Sequence, residues 1–170
     1  MDQAGMPDSP VLDVCQTSDG SLWAALFGPG VFRLRPGEDT WEPVNAGLSS
    51  RHVLALSRDS RDRLYAGTLG GGLWALPKQA PAWKVVSSLP ATDVTAVAIG
   101  PNDQSILAGT RKQGLWWSMD QGRTWTEESE ITGTVSSLLW RAKDEAWAAD
   151  ESGLLYRMHG GRTWHLITLE

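Results

Sequence analysis

The sequence contains little of what several protein classes require. Cys15 is the only cysteine among 170 residues, so an internal disulfide framework is excluded. The net charge is −5, and lysine and arginine form no cluster, which argues against binding to nucleic acid or to an anionic membrane. No apolar run approaches the roughly 18 residues of a membrane-spanning helix, so we expect no membrane insertion.

The N-terminus also lacks the basic and apolar regions of a signal peptide. We expect a cytoplasmic location if the chain is complete, and a periplasmic or secreted one if a leader has been removed. The 21% of charged residues is too low for a disordered chain, and the length is typical of a single folded domain.

Tryptophan is abundant, with ten residues, and its spacing reveals an internal repeat. Three columns of residues recur four times with a step of about 42 residues. The first column is Trp41, Trp83, Trp125 and Trp164. The second is Trp23, Tyr65, Leu107 and Trp147, each followed by two small residues. The third pairs a glycine with an apolar residue at 30–31, 72–73, 114–115 and 153–154. A period of 40 to 45 residues is typical of propeller blades or of helical arrays.

The local pattern favours propeller blades. Each unit contains short runs rich in valine, leucine and aromatic residues, separated by turn-forming residues. In the second unit these runs are 53–57, 64–68, 72–76 and 83–86. No segment has the sustained apolar spacing of a helix. We therefore predict an all-β fold, a β-propeller of four four-stranded antiparallel blades of about 42 residues. The predicted domains are an N-terminal tail at 1–10 and blades at about 11–52, 53–93, 94–134 and 135–170.

Eight of the ten tryptophans occupy repeated positions, namely the six in the first two columns and the pair Trp74 and Trp116, which share a column with Phe32. We expect these eight in the core. Trp117 and Trp140 lie outside the columns. A partly buried edge position is the favoured interpretation for Trp117, and stacking on a sugar is the alternative.

Residues 118–125 read S-M-D-Q-G-R-T-W and match the Asp-box (BNR) motif S-x-D-x-G-x-T-W at each defined position. A degenerate copy with His159 in place of the aspartate occurs at 158–164. The chain thus resembles Asp-box propellers, which include sialidases, sortilin-type receptors and photosystem II assembly-factor-like proteins. The stretches at 47–50, 66–68 and 70–74 also look like the periplasmic propeller repeats of two-component regulators.

This resemblance is specific for fold and says little about activity. The Asp-box residues are expected to be structural. These residues are Ser118, Asp120, Gly122, Thr124 and Trp125. Gly122 suits a turn that needs a positive φ, and Asp120 can accept hydrogen bonds from turn N–H groups. A calcium or catalytic role for Asp120 is the alternative, although calcium needs six to eight oxygen ligands.

A hydrolase is the main alternative to a binding module. The resemblance to sialidases implies an arginine trio and a tyrosine nucleophile, but only Tyr65 and Tyr156 are present and Tyr65 lies in a core column. A glycosidase with paired carboxylates needs acidic residues that converge on one face. The candidates for such a pair are Asp93, Glu128, Glu130 and Glu151.

Other catalytic and cofactor sites have no motif here. P-loop, GxSxG, HExxH and GxGxxG-to-helix patterns are absent from the sequence. The three histidines fall at different phases of the repeat, so we expect no metal site, no cofactor and no catalytic residues.

Antiparallel blades place the loops between second and third strands on the same face as the inter-blade loops. Loops carry function more often than strands do. The candidate contacts for a ligand or partner on this face are Arg51, His52, Asp93, Arg111, Lys112 and Gln113.

We therefore predict a non-catalytic binding or assembly module that recognises a protein, with a carbohydrate-binding protein or sialidase-like glycoside hydrolase as the alternative. Each unit begins with its inner strand and ends with its outer one, so no strand is left to close the ring. We accordingly expect a homodimer that completes eight blades. A compact four-bladed monomer and a fragment of a longer propeller are the alternatives.

Overall fold

The computed structural model describes residues 4–86, 88–160 and 163–167, which form sixteen β-strands in four sheets. Blade 1 contains β1 (Val11–Gln16), β2 (Leu22–Leu26), β3 (Gly30–Leu34) and β4 (Glu42–Pro43). Blade 2 contains β5 (Val53–Arg58), β6 (Leu64–Thr68), β7 (Gly72–Leu76) and β8 (Lys84–Val85). Blade 3 contains β9 (Val94–Ile99), β10 (Ile106–Thr110), β11 (Leu115–Ser118) and β12 (Thr126–Glu128). Blade 4 contains β13 (Val135–Ala142), β14 (Glu145–Asp150), β15 (Leu155–His159) and β16 (Thr163–Ile167).

Every blade is an antiparallel sheet whose strands follow one another in chain order. The inner strands β1, β5, β9 and β13 pack against one another in sequence. This arrangement is a four-bladed β-propeller, and the predicted fold class is confirmed. In the described ranges no helix occurs that is long and apolar enough to cross a membrane.

The repeated tryptophans occupy equivalent places in the blades. Trp41, Trp83 and Trp125 directly precede the short outer strands, and Trp164 lies within β16. Four of the eight repeated tryptophans are buried, namely Trp23, Trp74, Trp83 and Trp164. The other four are only half-buried, although two of them, Trp116 and Trp125, pack against apolar residues of blades 2 and 3. Tyr65 is buried, with 1% of its surface exposed.

Neighbouring blades join through a valine at the start of one inner strand and a small residue in the second strand of the blade before it. Val94 contacts Gly67, where an added Cβ would lie 2.8 Å from the Val94 Cγ1. Val135 contacts Gly109, where the corresponding distance is 2.7 Å. Only glycine fits at these two positions, since a side chain would push the blades apart.

Polar side chains also join the first three blades on the face that carries the β1–β2 and β5–β6 turns. Asp62 accepts hydrogen bonds from the backbone N and the Oγ of Ser18 in blade 1. Asp103 accepts the equivalent two bonds from Ser60 in blade 2. In blade 3 the position equivalent to Ser18 and Ser60 is occupied by Pro101. Proline has no backbone N–H to donate to blade 4.

Blades 1 and 4 do not cover each other. Val11, at the start of β1, is 46% exposed, whereas its counterparts Val53, Val94 and Val135 are fully buried. In the described residues β1 and β13 make no contact comparable to that between successive inner strands. The two end blades therefore each present one free flank.

The register of blade 4 differs from the expected one by one residue. The repeat spacing aligns Leu154 with Val31, Leu73 and Leu115. In the sheet, however, Leu155 is the residue opposite Ala149, as Val31 is opposite Ala25. The β14–β15 hairpin has the same length as its counterparts, but the position equivalent to Gly30 holds Leu154 in blade 4, so the glycine–apolar pair at 153–154 lies one residue too early.

Candidate functional site

The candidate recognition surface is the face formed by the loops at 27–29, 69–71, 111–113 and 151–153 together with the inter-blade segments. We call it the loop face. In blades 1 to 3, backbone hydrogen bonds tie the loop, or the residue directly after it, to the segment that leads into the next blade. The Gly28 N–H donates to the Arg51 carbonyl at 3.2 Å, and the Gly72 N–H donates to the Thr92 carbonyl at 2.7 Å. The loops are thus held by the propeller scaffold.

The loop at 111–113 presents three exposed polar side chains on a fixed backbone. The Arg111 N–H donates to the Asp93 carbonyl at 3.0 Å, and the Lys112 N–H donates to the Thr134 Oγ1 at 3.2 Å. The Gln113 carbonyl accepts a bond from the Trp116 Nε1 at 3.0 Å. Arg111, Lys112 and Gln113 are therefore positioned through their backbone atoms, and their side chains extend into solvent.

The other candidates lie on the same face with different surroundings. His52 packs edge-on against Phe27, with ring centroids 4.7 Å apart. Arg51 is exposed, and its carbonyl accepts the hydrogen bond from the Gly28 N–H. Asp93 is half-buried, because its Oδ1 accepts the Gly70 N–H at 2.8 Å and so fixes the neighbouring loop.

Lys112 adopts a backbone conformation that is unfavourable for its type. Its φ is +66°, in the left-handed region, where blades 1 and 2 have Gly28 and Gly70. A residue with a Cβ is less stable in this region than glycine by about 1 kcal/mol. Outliers of this kind are concentrated at functional sites.

The turn at 118–125 uses the Asp120 carboxylate within its own hairpin. Asp120 accepts bonds from the Thr124 Oγ1 at 2.6 Å, from the Thr124 N–H and from the Arg123 N–H. It also accepts a bond from Ser118 Oγ at 2.8 Å, and Gly122 has a φ of +84°. The Thr124 hydroxyl and N–H are the main cause of its lowered pKa of about 2.

The acidic candidates for a glycosidase pair lie in blades 3 and 4, on the loop face. Asp93 precedes β9, Glu151 follows β14, and Glu128 and Glu130 lie at and beyond the end of β12. Six other carboxyl groups have pKa values that are lowered by hydrogen bonds or ion pairs. They are Asp19, Asp62, Asp103, Asp120, Glu145 and Asp150.

Metal-ligating residues are not brought together in the ranges that the structure describes. No group of three or more His, Cys, Asp or Glu side chains there has a metal-binding arrangement. His159 lies at the end of β15 and His165 in β16, both in blade 4, while His52 lies at the start of blade 2.

Sequence reasoning missed a cavity between blades 3 and 4 on the face opposite the loop face. Its volume is about 130 Å³, and its walls include Trp117, Trp140, Trp164, Met119 and Met158. The Trp140 Nε1 is buried, and no described residue accepts its hydrogen. The available signal was that Trp117 and Trp140 are the two tryptophans outside the repeat columns.

A second concave surface runs through the middle of the blades. The four inner strands line an open groove of about 480 Å³, with Leu12, Leu54, Val97 and Leu139 among its walls. A closed propeller would have a central channel at this place.

Known structures resemble this fold, although no family model matches the chain and no curated protein sequence is similar to it. The structure "YCF48 bound to D1 peptide" is 19% identical over 91% of this chain and 53% of that chain, with a TM-score of 0.76. The extracellular domain of the two-component system BT4673 from B. thetaiotaomicron is 20% identical over 99% and 23% of the two chains, with a TM-score of 0.76.

The GH74 enzyme of Niastella koreensis is also similar, with 17% identity over 98% of this chain and 30% of that chain and a TM-score of 0.77. The chain therefore spans about half the length of the YCF48 chain and less than a third of the other two. At these identities the likeness shows the β-propeller fold alone.

Proposed function

We propose that this chain is a non-catalytic propeller module that recognises a protein partner through the loop face. The observation that carries the proposal is the left-handed Lys112 between the exposed Arg111 and Gln113. A glycine at this position would be more stable, as blades 1 and 2 illustrate with Gly28 and Gly70. A long cationic side chain at a strained position is consistent with selection for contact rather than for folding.

The surroundings of this loop support recognition. Its backbone bonds to Asp93 and Thr134 reduce the conformational entropy lost on binding, which lowers the cost of association. Arginine is enriched at protein interfaces, where its guanidinium group forms several hydrogen bonds. A propeller of similar fold binds a peptide, as the name "YCF48 bound to D1 peptide" states, and we propose a partner of the same chemical class here.

The hydrogen bonds of Asp120 favour a structural role for this carboxylate over a catalytic one. A general acid in a glycosidase needs a carboxyl pKa raised by burial or by a neighbouring carboxylate. The pKa of Asp120 is instead lowered to about 2 by the Thr124 hydroxyl and N–H. A lowered pKa keeps a carboxylate ionised and suits a structural acceptor.

A peptide-display library is the probe for this proposal. Peptides selected on the immobilised chain would be titrated against it by fluorescence anisotropy. We expect the variant Arg111→Glu/Lys112→Glu to weaken binding at least tenfold, a loss of about 1.4 kcal/mol. The matched control is Lys84→Glu/Arg123→Glu, which makes the same charge change at exposed residues away from the loop face.

Equal weakening by both variants would show a general charge effect and would contradict the proposal. Unchanged binding in the Arg111→Glu/Lys112→Glu variant would do the same. Normal unfolding of all variants by urea is required before either comparison is made.

Carbohydrate binding is a second candidate, and the cavity beside Trp117 and Trp140 favours it. Indole rings pack against the C–H faces of sugars, and the Trp140 Nε1–H would donate to a sugar hydroxyl. Its test is the titration of intrinsic tryptophan fluorescence with mono- and oligosaccharides. We expect a saturable change that Trp140→Phe reduces, and a flat titration would refute this candidate.

Self-association is part of the proposal as well. The surfaces for it are the free flanks of blades 1 and 4, which are separate from the loop face.

A further inference from the structure

The internal joints between blades repeat one packing pattern. At each joint a valine from the start of an inner strand fills the space beside a small residue of the preceding blade. The pairs are Val53 with Ala25, Val94 with Gly67, and Val135 with Gly109. All three valines are fully buried.

A second pair of positions follows the same pattern. The residues opposite the small residues, Val31, Leu73 and Leu115, are 0%, 1% and 0% exposed. On the facing blade, Leu56 and Val97 are 6% and 8% exposed. We call the side of a blade that faces the preceding blade its front flank, and the side that faces the following blade its rear flank. Each joint is thus an apolar contact between the rear flank of one blade and the front flank of the next.

The end blades carry both halves of this joint without a partner. On the front flank of blade 1, Val11 and Val14 are 46% and 64% exposed. On the rear flank of blade 4, Leu155 and Leu139 are 37% and 58% exposed beside the small residue Ala149. These residues of blade 4 line an apolar groove of about 280 Å³.

The front flank of blade 1 is also arranged like that of an internal blade. The Trp41 N–H donates to the Ala4 carbonyl at 2.7 Å, as the Trp83 N–H donates to the Ala46 carbonyl at 2.8 Å. Met6 packs beside Trp41, in the place that Leu48 takes beside Trp83. Blade 1 is therefore shaped to follow another blade.

We propose that two copies of the chain join head to tail, with blade 1 of each copy packed on blade 4 of the other. This inference rests on the self-association part of the proposed function and specifies its partner and its contacts. Val11 of one copy lies beside Ala149 of the other, and Val14 lies against the Leu155 flank. Two such joints close a ring of eight blades, the upper end of the usual range for propellers, whereas a third copy would exceed it.

The polar bonds of the first two internal joints are not required at this contact. In blade 1 the position equivalent to Asp62 and Asp103 is occupied by Gly20, which has the same left-handed backbone conformation, with a φ of +85°. Blade 1 therefore offers no carboxylate to a preceding blade. Since the joint between blades 3 and 4 also lacks this bond, the contact between copies depends on apolar packing.

Light scattering after size exclusion tests this proposal across a range of chain concentrations. We expect a mass of twice 18.5 kDa for the chain. Val14→Asp should halve the mass, because a charge at the apolar joint loses its water. Val85→Asp is the matched control, since Val85 is 56% exposed on an outer strand of blade 2, and it should remain a dimer.

A mixing experiment tests the head-to-tail order. Leu155→Asp should also be monomeric, because each joint of the dimer contains blade 4 of one copy. An equimolar mixture of the Val14→Asp and Leu155→Asp chains retains one intact joint and should recover a mass twice that of one chain.

A monomeric mass for the unmodified chain at all concentrations would overturn the proposal. Dimers that survive Leu155→Asp but not Val14→Asp would show a blade 1 to blade 1 contact and would also overturn it. Binding of a peptide to the loop face is a separate readout, because none of these substitutions touches Arg111 or Lys112.

Discussion

Asp62 offers the sharpest test of how the blades are held together. Its carboxylate is buried and accepts bonds from the Ser18 N–H at 2.8 Å, from the Ser18 Oγ and from the exposed Lys78 Nζ at 2.9 Å. A hydrogen bond to a charged group contributes about 1.5–3 kcal/mol, and an exposed ion pair contributes about 0–1 kcal/mol. Since the two serine bonds share one acceptor group, we expect Asp62→Ala to lower the free energy of unfolding by about 3 kcal/mol.

Urea unfolding at pH 7, followed by tryptophan fluorescence, measures this loss. Ser18→Ala removes the hydroxyl donor and keeps the backbone donor, so it should cost about 1 kcal/mol. The double variant should lose less than the sum of the two single losses, because the hydroxyl bond would be counted twice. Asp144→Ala, at an exposed carboxylate in the corresponding turn of blade 4, is the control and should cost under about 0.5 kcal/mol.

The stability difference between the chain and its Asp62→Ala variant must also become smaller at low pH. The Ser18 hydroxyl and N–H, followed by Lys78, hold the pKa of Asp62 well below its ordinary value of 3.8. A lowered folded-state pKa contributes stability above the unfolded-state pKa, and this contribution is lost as the pH falls below about 4. The difference between the chain and Asp62→Ala should therefore narrow between pH 4 and pH 2. A loss below about 1 kcal/mol at pH 7, or a difference that stays constant on acidification, would refute the reasoning.

Three further predictions follow from the described contacts. Lys112→Gly should raise the free energy of unfolding, measured in urea, by about 0.5–1 kcal/mol and yet weaken peptide binding. A lower free energy of unfolding in this variant would contradict the claim that the backbone of Lys112 is strained. Val94→Ala should lower the free energy of unfolding by about 2 kcal/mol because its two methyl groups are fully buried, whereas Val11→Ala should lower it by under about 0.5 kcal/mol in dilute, monomeric protein. Equal losses for the two variants would contradict the exposure of the blade 1 flank. Burial, and next to it the charge of Asp13, raises the pKa of the Cys15 thiol to about 12. Its reaction with a disulfide reagent at pH 8 should therefore be at least about a hundredfold slower in folded than in unfolded protein, and rapid labelling of the folded protein would refute this.

The blades could be predicted because their features are local and repeated. Strand propensity, turn residues and a period near 42 coincide in all four units, and the second-unit runs at 64–68 and 72–76 match β6 and β7. The limit was blade 4, where the glycine–apolar pair occurs one residue early, so that Leu155 and not Leu154 lies opposite Ala149. A glycine can change its place within a turn while the hairpin keeps its length, so a column of glycines does not fix the register of the strand that follows.

The bonds between blades could not be predicted from the repeat. A serine and an aspartate in polar turns are ordinarily assigned to bonds within their own turn. Ser18 and Asp62 are 44 residues apart, and only the packing of blade 1 on blade 2 brings them together. Trp140 illustrates the same limit, because its position outside the columns was visible but the cavity beside it depends on two blades.

Recognition through the loop face is the central claim, and hydrogen–deuterium exchange with and without a selected peptide tests it most directly. We expect bound peptide to slow exchange at 50–52, 91–93 and 111–113 and to leave the turn at 118–125 unchanged. Slowed exchange at that turn or along the inner strands, with none at 111–113, would place the binding site elsewhere and contradict the claim.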